Sequence, residues 1–252
     1  MNLRYTLLGI VLLLLAGCAT TETAKPKKDP FDGMDFKTIL AKANEGNIRA
    51  KVKVARMYDA GDGVEKSPVL SVKWTRKAAH KGDPEAETML GLAYARGIGG
   101  LGKSLLEARK WFTKAAENGD VNAMQFLSGM IMDGEGGEKN PEEGAKWLMK
   151  AAEIGNAGGQ HKLGHLYEDG KGVEKDLAKA FEWFLKSAEQ GDAVAQLHVA
   201  DYYSEGKGVE KDRKKKTHWL KKSAAGGNAS AQRAYGIMQI FGEGVEKNIE
   251  HG

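Results

Sequence analysis

The 252-residue chain has a single cysteine, Cys18, so no disulfide can close within it. It also lacks a decisive charge excess: 38 basic residues face 34 acidic ones, and the resulting +4 is too even for a nucleic-acid-binding surface. Long apolar runs are missing as well. The run from Leu7 to Ala16 falls well short of the roughly 20 residues that span a bilayer as a helix. No Ser, His and Asp fall into a grouping that suggests nucleophilic catalysis, so no catalytic residue is assigned and no cofactor is expected. What the chain has in quantity is glycine, 33 residues at regular intervals, which punctuate structure rather than dissolve it. With 41% hydrophobic and 29% charged residues, the chain is long enough for one large or two small globular units.

The N-terminus is set aside before the fold is read. Arg4, the short apolar run and the small residues before Cys18 have the form of an export signal. The sequence Leu15-Ala16-Gly17-Cys18 resembles the lipobox of bacterial lipoproteins, whose cysteine becomes the lipid-modified first residue after cleavage. That resemblance implies a signal peptide over residues 1–17 and a palmitate-bearing membrane anchor at Cys18. The competing reading is an incidental thiol at the end of a signal peptide cut elsewhere. Ala19, in place of Asp, resembles the outer-membrane sorting pattern of Gram-negative lipoproteins and implies a protein facing the periplasm. Residues 18–35 contain two prolines, several Lys and Thr and no apolar periodicity, and are expected to form a flexible tether.

Beyond the tether the chain repeats itself. Its tryptophans are Trp74, Trp111, Trp147, Trp183 and Trp219, and all five share one register at intervals of 36 or 37 residues. Each is followed three positions later by Lys (Lys77, Lys114, Lys150, Lys186, Lys222) and five later by Ala (Ala79, Ala116, Ala152, Ala188, Ala224). Self-similarity at such a period is the signature of a solenoid. Gly46, Gly82, Gly119, Gly155, Gly191 and Gly227 are each followed by Asn or Asp, a helix stop and then a helix N-cap. A second set of stops runs from Gly61 to Gly242, and Ser67, Ser104, Asn140, Asp176 and Asp212 follow as caps. Each unit is therefore expected to be a first helix, a short loop, a second helix and a tight turn. In the fourth unit Gly159, Leu163, Leu166 and Tyr167 share one face of the first helix, and Ala180, Phe184, Ser187 and Ala188 share one of the second. Removing a column tryptophan is expected to cost about 3–5 kcal/mol if it is buried as this pattern implies.

The unit resembles the Sel1-like repeat, a relative of the tetratricopeptide repeat, through A-x-x-x-L-G-x-x-Y-x-x-G-x-G-V and K-A-x-x-W-x-x-K-A-A-x-x-G. The third copy departs most, with Ile131 in the Tyr column and Gly137 for Val. The resemblance implies an all-α fold, a right-handed superhelix whose concave face is lined by first helices and binds protein. The expected divisions are a degenerate capping helix over 36–46 and a repeat domain over 47–252, with five full repeats and a sixth half repeat. Asn248 is read as the next N-cap. With no second helix to follow, Ile237, Ile240 and Phe241 are expected to lack full cover and to dock a partner or a second copy.

Partner recognition is assigned to the first-helix columns outside the core: Val52, Lys53 and Arg56; Thr88, Met89 and Leu92; Gln125 and Phe126; His161, Lys162 and His165; Leu197, His198 and Asp201. These differ from copy to copy while the framework columns do not. No metal is assigned. The residues that Zn²⁺ would use are His161, His165, His198 and Asp201, and the favoured reading of them is a polar groove with adventitious His pairing. Gly97 to Ser104 fits the phosphate-binding pattern G-x-x-x-x-G-K-[ST], but a helix rather than a strand precedes it and its Gly, Lys and Ser fill repeat columns. The basic run from Arg213 to Lys216 reads as a solvated face. The function expected is a lipid-anchored envelope scaffold that binds protein. The alternatives are a hydrolase acting on cell wall or β-lactams, or a regulator of an envelope-stress or virulence pathway. The enzyme reading rests on a cysteine-rich branch of similar repeats, and this chain lacks those cysteines. Fatty-acid labelling of the exported protein is expected to vanish in Cys18→Ser; labelling that persists would remove the anchor.

Overall fold

The computed structural model describes residues 29–242, so residues 1–17, where a signal peptide is expected, Cys18 and Asn248 lie outside the described residues. Among those described there are twelve helices and no strand, an all-α repeat fold. None of these helices is long and apolar enough to cross a membrane. A leading helix, α1 (Phe36–Asn44), precedes five pairs. The pairs are α2 (Ile48–Ala60) with α3 (Pro68–Ala79), α4 (Pro84–Arg96) with α5 (Leu105–Glu117), and α6 (Val121–Asp133) with α7 (Pro141–Glu153). Then come α8 (Ala157–Asp169) with α9 (Leu177–Glu189), α10 (Ala193–Glu205) with α11 (Arg213–Ala225), and a last first helix, α12 (Ala229–Phe241).

Local chemistry sets these limits. Every first helix starts on an Asx cap: the side chains of Asn47, Asp83, Asp120, Asn156, Asp192 and Asn228 accept the backbone N–H three residues on, at 2.7–3.2 Å. Every first helix ends on a left-handed glycine, from Gly61 to Gly242. The second helices are capped by Ser67, Ser104, Asn140, Asp176 and Asp212. Gly97 is thus a helix stop and Ser104 a helix cap, which accounts for the phosphate-loop pattern without a phosphate.

All the extensive helix contacts are between chain neighbours, so the core is passed from unit to unit. One set of side chains locks successive units, and a second ties the two helices of a unit together. Gln160, Gln196 and Gln232 donate to the carbonyls of Ala152, Ala188 and Ala224, which binds each first helix to the end of the helix before it. Ser187 and Ser223 donate to the carbonyls of Ala157 and Ala193. The residues after the tryptophans, Phe112, Leu148, Phe184 and Leu220, are all buried. At Gly91 and Gly164 a Cβ would lie 2.7 Å from the rings of Phe112 and Phe184, so glycine is what lets the two helices of those units close.

Two expectations change here. The tether expected over 18–35 ends sooner, because Phe31 is buried and packs with Ile39, Ala43, Ala50 and Val54. The tryptophan column is not uniformly buried: Trp74 and Trp219 are, while Trp111, Trp147 and Trp183 are half-buried. The lysine three residues on lies over each ring, at 3.9 Å for Lys186 on Trp183 and 5.3 Å for Lys114 on Trp111. Indole and butyl stem shield one another at the surface, which explains why the two columns travel together.

The adjacent residues Trp183 and Phe184 separate visibility from weight. Phe184→Ala should cost about 3–5 kcal/mol and Trp183→Ala about half of that, because part of the indole is already in water. Urea denaturation midpoints check the ranking; equal losses, or a larger one at Trp183, would contradict it.

Candidate functional site

The first helices α6, α8 and α10 lie side by side and are joined by a polar ladder. In its first rung Gln125 of α6 donates to the Asn156 cap at 3.1 Å, and Lys162 of α8 donates to Gln125 Oε1 at 3.0 Å. The next rung uses the same positions one unit on. His161 lies 3.2 Å from the Asp192 cap through Nδ1, and its ring is 5.3 Å from that of His198 on α10. Neighbouring units therefore meet at an offset: each residue of the Gln125 and His161 column faces the following position, and the cap, of the next helix.

His165 completes a triangle. Its ring is 5.0 Å from His161 and 4.8 Å from His198. Its Nδ1 lies 3.2 Å from Glu168 Oε2, and the Tyr202 hydroxyl donates to Glu168 Oε1 at 3.0 Å. Phe184 forms the floor, stacked on His198 at 4.8 Å and edge-on to His165 at 4.9 Å. The His161 and His165 side chains keep 18% and 40% exposure, so solvent reaches the cluster.

The electrostatics follow from this packing. Burial lowers His165 and His198, and each is lowered further by its histidine neighbours, His198 to about 4. Both are neutral at pH 7. Burial raises the Asp192 carboxyl, but hydrogen bonds from His161, the Ala195 N–H and the Ser187 hydroxyl outweigh it and hold the group at about 2. An ionised carboxylate only accepts, so His161 Nδ1 carries the proton. Burial also lowers the Lys162 ammonium.

Three of the expected site assignments need correction. Asp201 does not join the histidines; the charges that act on it are those of Glu205, Lys207 and Lys216. The offset between units puts Asp192 there instead, and Glu168 joins from α8 itself, three residues beyond His165. Val52 and Thr88 are buried rather than open to a partner: Val52 packs with Val72 and Leu90, and Thr88 donates to the Pro84 carbonyl within its own helix. Met89 and Leu197 are partly buried against core clusters, and Phe126 stacks on Phe112 at 5.1 Å. Leu92 is half-buried, Arg56 is exposed and pairs with Glu85, and Lys53 is engaged as well. At the C-terminal end Ile237 and Phe241 are exposed, and they occupy the columns of Arg56 and Asp201 and of Asp169 and Glu205, exposed there too. Their exposure thus continues the first-helix face. Asp192 could have been found as a cap column bearing a carboxylate, and Glu168 by its i, i+3 spacing from His165; Tyr202 needed the offset.

Comparison with known proteins places this architecture. The Sel1 repeat model matches residues 48–83, 84–120, 121–156, 157–192, 193–228 and 229–252. A Sel1 repeat protein of Oxalobacter formigenes is 36% identical with a TM-score of 0.71, covering 81% of either chain. A protective antigen of uropathogenic Escherichia coli displaying an SLR fold is 34% identical with a TM-score of 0.75, over 86% of this chain and 46% of its own. An ERAD-associated E3 ubiquitin-protein ligase component of Arabidopsis thaliana is 31% identical over 85 residues, 33% of this chain and only 12% of that protein. With six matched repeats running from α2 to beyond α12, the chain belongs to the Sel1 repeat family.

Proposed function

We propose that this chain is a lipid-anchored scaffold of the bacterial cell envelope that binds a protein partner through the first-helix face of its repeats. Sel1 repeat proteins generally mediate protein–protein interaction and are typically non-enzymatic. The Arabidopsis relative is by name a component of a ligase, that is, part of an assembly.

The observation that carries the reading is a division of labour within each unit. Caps, glutamines, tryptophans and lysines recur and are consumed in packing, whereas the first-helix positions outside the core differ from copy to copy. Gln125, Lys162, His165 and His198 are half-buried on that face, and Arg56 and Asp201 are exposed on it. Rows of partly buried polar groups beside half-exposed apolar ones, such as Leu92 and Phe126, suit a protein surface better than a small substrate. Anchoring through Cys18, on the outer membrane and facing the periplasm, is supported by the lipobox-like Leu15-Ala16-Gly17-Cys18 and by Ala19. Self-association through α12 is the companion proposal, motivated by Ile237 and Phe241 at 49% and 70% exposure.

Photoreactive residues placed at Gln125, Lys162 and Asp201 should capture one and the same protein from membranes, and one at Glu182 on α9 should not. Capture only through α9 would overturn the face assignment. In sedimentation, a dimer of the wild type that dissociates in an Ile237→Ser, Phe241→Ser variant supports self-association, and a strictly monomeric wild type removes it.

A further inference from the structure

The triangle of histidines on α8 and α10 has a use that the scaffold reading does not absorb. We propose that His161, His165 and His198 form a Zn²⁺ site, built across the joint between two repeats.

The first support is proximity. One ligand nitrogen from each of the three residues can be chosen so that all lie within 4.8 Å of one another. Tetrahedral Zn²⁺ with Zn–N bonds of about 2.0–2.1 Å needs nitrogens about 3.3–3.4 Å apart. Rotations of the imidazoles about their side-chain bonds, on helices that stay in place, close a gap of that size.

The second support is how the rings are held. Asp192 Oδ2 accepts from His161 Nδ1 at 3.2 Å, and Glu168 Oε2 accepts from His165 Nδ1 at the same distance. A carboxylate behind Nδ1–H fixes the tautomer, leaves the Nε2 lone pair facing away and makes it a better donor. His161 Nε2 is buried and has no hydrogen-bond partner, as a nitrogen waiting on a metal would be. Neither carboxylate floats: Asp192 also accepts from Ser187 at 3.0 Å and caps α10, and Glu168 accepts from Tyr202. Two such carboxylates beside the three imidazoles offset the charge of a divalent cation.

Imidazole donors with no thiolate suit Zn²⁺ among the borderline metals. Three protein ligands leave one coordination position to water or to a donor from outside the chain. A metal here would clamp α8 to α10, and it would present a Lewis-acidic point on the face the histidines share.

The probe is Zn²⁺ alone, titrated calorimetrically into untagged, EDTA-dialysed protein. One ion per chain is expected. His165→Gln and His198→Gln should each weaken binding about 100-fold or more, and Asp192→Asn, which keeps the cap, by about 10–100-fold. His218→Gln on α11 should leave it unchanged. Co²⁺ should give the visible absorption of a four-coordinate site in the wild type and lose it in the ligand variants. A readout without variants covers any that misfold: Zn²⁺ should shift the ring proton signals of His161, His165 and His198 and spare those of His80 and His218. Absence of saturable binding, affinity unchanged in His165→Gln and His198→Gln, or shifts centred on other histidines would each overturn the site.

Discussion

A ring resting on a residue with no side chain holds the fourth unit shut and supports its candidate site. Phe184 of α9 is fully buried against Gly164 of α8, where any Cβ would come within 2.7 Å of it. The second unit does the same with Phe112 and Gly91. At these two positions the other units carry Ala55 with Thr75, Ser128 with Leu148, and Ala200 with Leu220, all buried. The large ring appears only where its counterpart is glycine, so the pair conserves volume while its members change. Because Phe184 can sink that far, its faces and edges are left to His161, His165 and His198. The packing joint of one unit is thereby the floor of the site shared with the next.

Much of the fold was legible in the sequence because its determinants are local. An Asx after a glycine caps a helix whatever surrounds it, and all six first-helix starts can be read this way. Burial was less legible. Trp183 announces the repeat because tryptophan is rare, yet Phe184 beside it is the more buried. Phe31 was assigned to a tether because its surroundings are polar, and periodicity has nothing to say about a lone anchor.

The site was legible only in part, for a geometrical reason. Alignment by column treats the units as superposed, which sets Asp201 beside His165. In the fold, successive first helices are displaced, so that Gln125 meets Lys162 and His161 meets His198. Helix spacing along one element correctly joined His161 to His165; contacts between elements depended on a displacement that no single repeat contains. Val52 and Thr88 show the same limit, since the column that opens onto the ladder at Gln125 and His161 is closed over at the N-terminal units.

The cap column shows how such a site can be added without disturbing the fold. Asn156 caps α8 and accepts from Gln125 through the same Oδ1. Asp192 divides the two tasks, Oδ1 for the backbone of α10 and Oδ2 for His161 and Ser187. Asn and Asp are nearly equivalent as N-caps, so the framework is indifferent to which is present. They are not equivalent to a histidine: an amide accepts weakly through one oxygen, whereas a carboxylate held at about pKa 2 stays ionised and fixes the proton on Nδ1. A position that the architecture requires, but whose charge it leaves open, is where the character of the joint between α8 and α10 is decided.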